Sequence, residues 1–410
     1  LKWLALALLG AAIAGNYYVY DALAPVAGLL RAQRGFSQSR IGLLNAATGL
    51  PNIPLSLLGG LLIDRFGASR AAVATAICCF AGAAMTAIGD PFGLMLFGRF
   101  LFGAGEETLV IALLACVAQS FGASGAGLAM SLLFSLARIG SYAADTSPVW
   151  AAGLYTGGWA PPLWLAACVS GIGLAAALGY WRIDGGRRRT IAARRRPWTG
   201  LFRVFRFDRS FWYILCLNVL FASVFFPFRS TFAIAFFQDS CGLTLAQAGL
   251  TNSLVFLAAI FATPLFGLIA DRYGHRAMML TLGAALMPLT FITLAATDCG
   301  LWVSTTMMGL SFSVVPAVIW PATAMLVAPR RLGTAFGLIN MLQSLGLAAS
   351  NLAAGWLNDV NRAGAQHPAG YLPMLWMFCG LATVGLLATA LLWARESGPH
   401  GHGLNVARRP

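Results

Sequence analysis

The sequence predicts an all-α membrane protein of twelve transmembrane helices arranged as two six-helix bundles. Three observations predict it. The 410-residue chain is 59% hydrophobic and only 10% charged, whereas soluble proteins carry about a quarter charged residues. Its apolar residues fall in runs of roughly 20, the length that crosses a bilayer as a helix. A short phrase also occurs twice, about half a chain apart. The first copy is Gly60-Leu61-Leu62-Ile63-Asp64-Arg65-Phe66-Gly67-Ala68-Ser69-Arg70, and the second is Gly267-Leu268-Ile269-Ala270-Asp271-Arg272-Tyr273-Gly274-His275-Arg276. Each ends an apolar run with Asp-Arg-aromatic-Gly and a basic residue soon after. A duplicated charged connector of this kind marks a transporter built from two repeated halves.

In order, the spans are 3–30, 41–63, 70–89, 92–119, 125–152, 160–182, 210–237, 246–270, 276–296, 300–327, 332–357 and 370–394. The first is unusually polar, with Asn16, Tyr17, Tyr20 and Asp21. Tyr17 and Asp21, four apart, share a face. The second and eighth end in the duplicated phrase. The fourth carries Arg99, Gly103 and Gly105 as Arg-x-x-x-Gly-x-Gly, followed by Glu106 and Glu107. Its glycines permit close helix approach. The fifth holds Arg138 and Asp145, seven apart on one face. The seventh is interrupted at Phe226-Pro227-Phe228 and then carries Arg229; the tenth contains Trp320-Pro321 and the eleventh Gln343. The third, sixth, ninth and twelfth are marked by length and apolarity. The chain thus divides into a first bundle (1–182), a basic linker (183–209), a second bundle (210–394) and a tail (395–410).

Charge sets the expected orientation. The net charge is +14, and Lys2 is the only lysine. Ten arginines lie from Arg182 to Arg209 inclusive. Others sit after spans 2, 8 and 10 (Arg65, Arg70, Arg272, Arg276, Arg330, Arg331) and in the tail (Arg395, Arg408, Arg409). All fall on one side if both termini are cytoplasmic. Arg31, Arg34 and Arg40, after span 1, break the rule. Topology and anionic lipid account for the basic patch, so no nucleic acid is expected. The first thirty residues lack the cleavage pattern of a signal peptide, and the missing initiator Met suggests a trimmed start.

Several chemistries are excluded. A Walker A loop needs Gly-Lys-Ser/Thr, and the chain has none. The four histidines, His275, His367, His400 and His402, all lie in connectors or the tail, so no histidine relay crosses the membrane. The eight cysteines show no metal-site spacing. Neither a catalytic constellation nor a cofactor or metal is expected. Any ion coupling must use carboxylates.

Ionisable residues inside spans are costly and face cavities or partners. They are Asp21, Arg99, Glu106, Glu107, Arg138, Asp145 and Arg229. Glu107 and Arg138 lie near the middle of spans 4 and 5. Together they suit a zwitterion, an acceptor for its ammonium and a donor fork for its carboxylate. Alternatively they neutralise each other as a buried pair. Arg99 is either structural or a proton relay through Glu106. Asp145 is either solvated or part of an outer gate. The polar stretch of span 1 either lines a cavity or bonds between helices. Arg229 meets either a substrate carboxylate or a carbonyl freed at the proline break.

The duplicated connectors and the Arg99/Gly103/Gly105 pattern resemble the major facilitator superfamily. Within it, the chain is similar to the major-facilitator-domain proteins typified by the lysosomal dipeptide uniporter. The shared stretches include Tyr20-Asp21, Phe97-Gly98-Arg99-Phe100, Phe102-Gly103, Glu107, Ala137-Arg138-Ile139-Gly140-Ser141, Phe226-Pro227-Phe228, Asn252-Ser253, Trp320-Pro321, Leu332-Gly333-Thr334-Ala335 and Gln343-Ser344-Leu345-Gly346-Leu347-Ala348. The resemblance implies uniport of dipeptides, with Glu107 and Arg138 holding the peptide termini. Tyr17, Tyr20, Asp21, Arg229, Trp320 and Gln343 are the further candidates for the substrate site. Glu106 stands where the group has a small residue, and with Arg99 it is the candidate for proton coupling. The motif residues Asp64, Arg65, Arg70, Asp271, Arg272 and Arg276 would brace a cytoplasmic gate.

The resulting expectation is a monomeric transporter moving a dipeptide or small zwitterion by alternating access in the lipid bilayer. The arginine and alanine bias points to a bacterial inner membrane. Drug efflux is the runner-up; its usual Gly-Pro motif is missing from span 5, where Gly140 precedes Ser141. A non-transporting receptor or assembly partner is the alternative of another class, and flux in proteoliposomes separates it.

Overall fold

A computed structural model describes residues 2–121, 126–184, 207–296, 301–328, 331–399 and 401–405. Among these the chain is helical and forms no β-strand. Nine helical segments are long and apolar enough to cross a membrane. Three more, 38–66, 126–150 and 332–360, stand where spans 2, 5 and 11 are expected. Most of the 183–209 linker lies outside the described residues, as does Asp298.

In chain order the helices are α1 (Lys2–Asp21), α2 (Leu23–Arg34), α3 (Gln38–Gly49), α4 (Asn52–Phe66), α5 (Ala68–Ile88), α6 (Phe92–Phe121), α7 (Ala126–Trp150), the short α8 (Ala152–Thr156) and α9 (Ala160–Asp184). There follow α10 (Arg209–Pro227), a π-helical turn (Phe228–Phe232), α11 (Ala233–Cys241), α12 (Leu245–Tyr273), α13 (Arg276–Ala296), α14 (Leu301–Leu326), α15 (Leu332–Val360), a 3-10 turn (Pro368–Tyr371) and α16 (Leu372–Glu396). The composite spans break at or beside prolines. Pro25 sits in the first turn of α2, where its missing N–H costs nothing. Pro51 separates α3 from α4. Pro227 leads into the widened turn, which carries Arg229.

One expectation is corrected here. The first span does not stop near residue 30 but runs to Arg34, and its arginines are engaged. Arg31 pairs with Asp239 at 2.9 Å and Arg34 with Asp90 at 2.8 Å. Arg40 lies 5.8 Å from the Phe36 ring and 5.4 Å from Phe92. The three residues that broke the charge pattern therefore each have a local partner.

The duplicated phrase folds alike in both copies. Gly67 and Gly274 end their helices at φ 87° and 71°, and their amides bond back to Ile63 O (2.8 Å) and Ala270 O (3.1 Å). A side chain would be strained at either. Arg65, Arg70 and Arg272 are exposed, and Arg65 and Arg272 each lie 5.6 Å from the aromatic ring that follows. Arg276 is buried. Its amide donates to Leu404 O at 3.1 Å, so the tail folds back onto this connector. The side chains of Asp64 and Asp271 lie outside the described residues.

Two main apolar cores form, one per half. The first is built largely from alanines, such as Ala12, Ala76, Ala112 and Ala137. Glycines bring its helices close: a Cβ on Gly98 would meet Thr86 N at 2.7 Å. The second is built on phenylalanines, including Phe225, Phe228, Phe237, Phe291 and Phe378. The halves meet where α3 and α4 pack on α15, α7 on α12, and α2 on α11.

Polar bonds concentrate at one end of this junction. Gln38 Nε2 and Arg31 Nη1 donate to Tyr371 OH (2.9 and 3.4 Å), which donates to Asp239 (2.7 Å). The amides of Gln38 and Ser39, at the start of α3, donate to Asp359 of the other half at 2.7 and 2.8 Å. A carboxylate there answers the positive helix terminus. A vestibule of about 780 Å³ opens above these bonds, lined by Arg31, Gln238, Asp239, Arg362 and His367 among others. Toward the opposite end, α7 exposes Leu128 (65%) and α12 exposes Phe261 (72%) and Leu268 (69%). The side-chain bonds that cross between the halves gather at the first of these ends, the joined end.

Candidate substrate site and the latch beside it

Glu106 and Glu107 project from the middle of α6 and remain half-buried. Among the described residues neither carboxylate makes a hydrogen bond or ion pair. Arg138, on α7, is half-buried too. Its guanidinium lies 4.9 Å from the ring of Phe312 on α14, and Nη1 has no hydrogen-bond partner. Glu107 and Arg138 are not bonded to each other. No ion pair of the buried-pair alternative forms here, and only Arg138 of the two touches the second half, at Phe312. Tyr17, half-buried on α1, lies within electrostatic reach of both. Tyr20 sets its ring against Phe226 at 6.2 Å. Phe225, Phe226, Phe256 and Phe312 form an aromatic wall opposite these polar groups.

Arg99 does not pair with Glu106. It is almost fully buried, and its nitrogens donate to Val19 O (3.2 Å), Tyr20 O (3.4 Å), Leu44 O (3.4 Å) and Asn45 Oδ1 (2.5 Å). These acceptors lie near the end of α1 and in the middle of α3, so the guanidinium ties those two helices together. Of the two readings of Arg99, this geometry matches the structural one. Gly103 and Gly105 act as close-approach positions: a Cβ on Gly105 would come 2.6 Å from Thr75 O.

The sequence reading puts Asp21 and Arg229 among the substrate contacts. The structure instead joins them. Arg229 Nη1 donates to Asp21 and Nη2 to Asp145. All three are buried, and Asp145 and Arg229 have no exposed surface. The guanidinium also lies 3.9 Å from the Phe256 ring, and Asn252 Nδ2 donates to Arg229 O at 3.2 Å. This latch links α1 and α7 of the first half to the π-helical turn of the second. Beside it Asn45 donates to Ser230 O (3.0 Å) and Thr231 Oγ1 (2.6 Å), and Thr231 donates to Asn351 (2.7 Å). Asn45 thus connects Arg99 to the second half. Sequence reasoning missed it, because a lone asparagine in a span carries no charge signal.

Trp320 and Gln343 are not brought to the charged groups by any described contact. Trp320 packs on Phe336 at 5.5 Å, and Gln343 accepts from Asn218 at 2.7 Å within the second half. Outside the membrane, Asp208 caps α10 and pairs with Arg395 at 2.9 Å. Burial works against its ionisation, but the Ser210 amide and the Arg395 guanidinium outweigh it and hold its carboxyl below the usual range.

Comparison with known proteins agrees with this architecture. The nucleoside transporter NupG, solved as a point mutant, superposes with a TM-score of 0.79 at 14% identity, covering 95% of this chain and 99% of that one. A bacterial homologue of the human lysosomal transporter Spinster, solved in an inward-facing, occupied conformation, gives 0.68 at 14% identity, covering 96% of each chain. In sequence, the lysosomal dipeptide transporter MFSD1 of Danio rerio is 30% identical over 411 positions, covering 96% of this chain and 86% of that protein. The Homo sapiens MFSD1 is 29% identical with the same coverage. A probable sulfoacetate transporter, SauU of Cupriavidus necator, is 22% identical over 401 positions, covering 89% of this chain and 88% of that protein. The Major Facilitator Superfamily model matches residues 9–350 and 224–409, and the chain belongs to that family of membrane transporters.

Proposed function

We propose that the protein carries dipeptides, or zwitterions of similar size, by facilitated diffusion through alternating access. The observation that carries this reading is the pair of unbonded charges, Glu107 and Arg138, in mid-span on two different helices and both within electrostatic reach of Tyr17. A free carboxylate takes an ammonium, and a free guanidinium takes a carboxylate in a fork. Leaving both unpaired and half-buried is unfavourable unless a ligand, or water in its absence, completes them. Tyr17 stands within reach of both groups as a neutral donor. The similarity to MFSD1, a lysosomal dipeptide transporter, supports the substrate class.

In this reading the units 1–182 and 210–394 rock about the site. The joined end faces outward, both termini are cytoplasmic, and the membrane is a bacterial inner membrane. The connectors at Asp64 and Asp271 brace the gate at the opposite end once it closes. Uniport fits best, because Arg99 is committed to backbone carbonyls and gives Glu106 no partner for a proton relay. The test is a thermal-shift screen of purified protein against amino acids, dipeptides and tripeptides, followed by counterflow in liposomes. A binder stabilises the folded state in proportion to occupancy. Stabilisation by dipeptides, lost in Arg138→Ala and Glu107→Gln, is expected. Wild-type dipeptide affinity in either variant would overturn the assignment.

A further inference from the structure

The latch holds two carboxylates on one guanidinium. It carries a formal charge of −1 in a place closed to solvent, and nothing in contact balances it. The surrounding groups do not help. On α6, Arg99 is bonded to Val19 O, Tyr20 O, Leu44 O and Asn45, and Glu106 and Glu107 add negative charge rather than balancing it. Arg138 on α7 lies against Phe312. On α1, Tyr17, Tyr18 and Tyr20 are neutral, as is Tyr155 of α8, which bonds Ser147 at 2.6 Å. The facing part of α12 presents Asn252, which donates to Arg229 O and is also close to Asp145, but is uncharged and leaves the −1 in place; the charged residues of that helix are at its far end. Among Asp21, Arg99, Glu106, Glu107, Arg138, Asp145 and Arg229, four carboxylates stand against three guanidinium groups, again −1. Two carboxylates that share a dry site resist joint ionisation. The vacant acceptor is also identifiable. Asp145 Oδ2 takes the Arg229 bond, while Oδ1 is buried with no hydrogen-bond partner. Glu106 and Glu107 are half-buried and take no part in the latch.

We propose that Asp145 binds one proton whenever the joined end closes and releases it when that end opens. The O–H bond forms at Oδ1, with the proton drawn from the solution on the joined side. When the halves separate, Arg229 leaves with the second half, water reaches both aspartates, and the proton returns to the solution it came from. In the closed state the latch is sealed from both sides, so the proton has no route across. Acid on that one side therefore holds the end shut without any proton being carried through. This makes Asp145, rather than Glu106, the proton-binding residue, and a pH-sensitive gate compatible with uniport. It rests on the alternating-access reading but not on the dipeptide.

The test uses full-length protein in oriented liposomes, in a cysteine-free background with Ala24→Cys as reporter. Ala24 is buried against the second half's core and is uncovered only if the joined end opens. A membrane-impermeant maleimide supplied on the joined side should label it more slowly as pH there falls. One linked proton gives a change of at most about tenfold per pH unit. Acidifying the opposite side should change nothing. Asp145→Asn should label slowly and independently of pH, and Asp21→Asn, which also removes one charge, should likewise lose the pH response. A pH response retained in both variants would overturn the proposal. So would an equal response to pH on the two sides, or net proton movement with substrate. If dipeptides fail to bind while the one-sided response persists, the substrate reading falls and this one stands.

Discussion

Arg229 is the residue on which most of the buried charge converges, and its removal should be the most damaging single change. Arg229→Met leaves two carboxylates buried without a counter-charge. Removing one partner of such a cluster costs about 3–5 kcal/mol, so a clear fall in melting temperature is expected in detergent. Combining it with Asp21→Asn and Asp145→Asn should restore much of the loss. If the triple variant melts as low as the single one, the charge argument is wrong. The sequence marks each of these residues as an intramembrane charge but cannot pair them. Asp21, Asp145 and Arg229 sit on three different spans, and helical periodicity relates residues only along one helix. The same limit applies to Arg138: its position in mid-span is legible, but its placement over Phe312 depends on how α7 and α14 are packed across the halves.

At the scale of elements, the glycines of the joined end set how closely α15 approaches α3. A Cβ on Gly355 would lie 2.7 Å from Gln38 O and 2.8 Å from Ser39 Cα. These are backbone atoms, so they cannot swing aside. Gly355→Leu should therefore hold the joined end apart. The expected result is faster maleimide labelling of Ala24→Cys and loss of counterflow, with unchanged expression. The Asp208 cap gives a second expectation. Its folded carboxyl lies below the usual value, so its stabilisation is fully present above that value and disappears as pH falls through the depressed one. Asp208→Asn should lower the melting temperature near neutral pH and lose that difference in acid. An equal deficit at both pH values would contradict this. Helix positions are largely readable from apolar length. Their interruptions are less so: Pro227 announces a break, but the π-helical turn beyond it depends on what Arg229 meets.

For the whole molecule, orientation is the quantity most open to direct measurement. Gln366, exposed at the joined end, and Arg70, exposed at the other, supply the two sites. In whole cells an impermeant reagent should label Gln366→Cys and spare Arg70→Cys. The reverse pattern would invert the gate assignment. The two-half plan is readable because the connector phrase is repeated, and the repeat reappears as two helix stops at Gly67 and Gly274. Which conformation the halves adopt is not readable. Both states of such a protein use the same helices, and they differ only in which interface residues meet.

The π-helical turn at Phe228–Phe232 has a consequence for how such a chain can change. A turn of this kind holds one residue more than the α-helical ladder needs. Each residue rotates a helix by about 100°. Deleting Ser230 alone would let the segment close into ordinary α-helix, while its proline-marked start and the helix beyond it kept their length in the membrane. The guanidinium and the rest of α11 could then no longer both face their present partners. A latch between two halves would be gained or lost through one codon inserted or removed, without any charged residue being replaced.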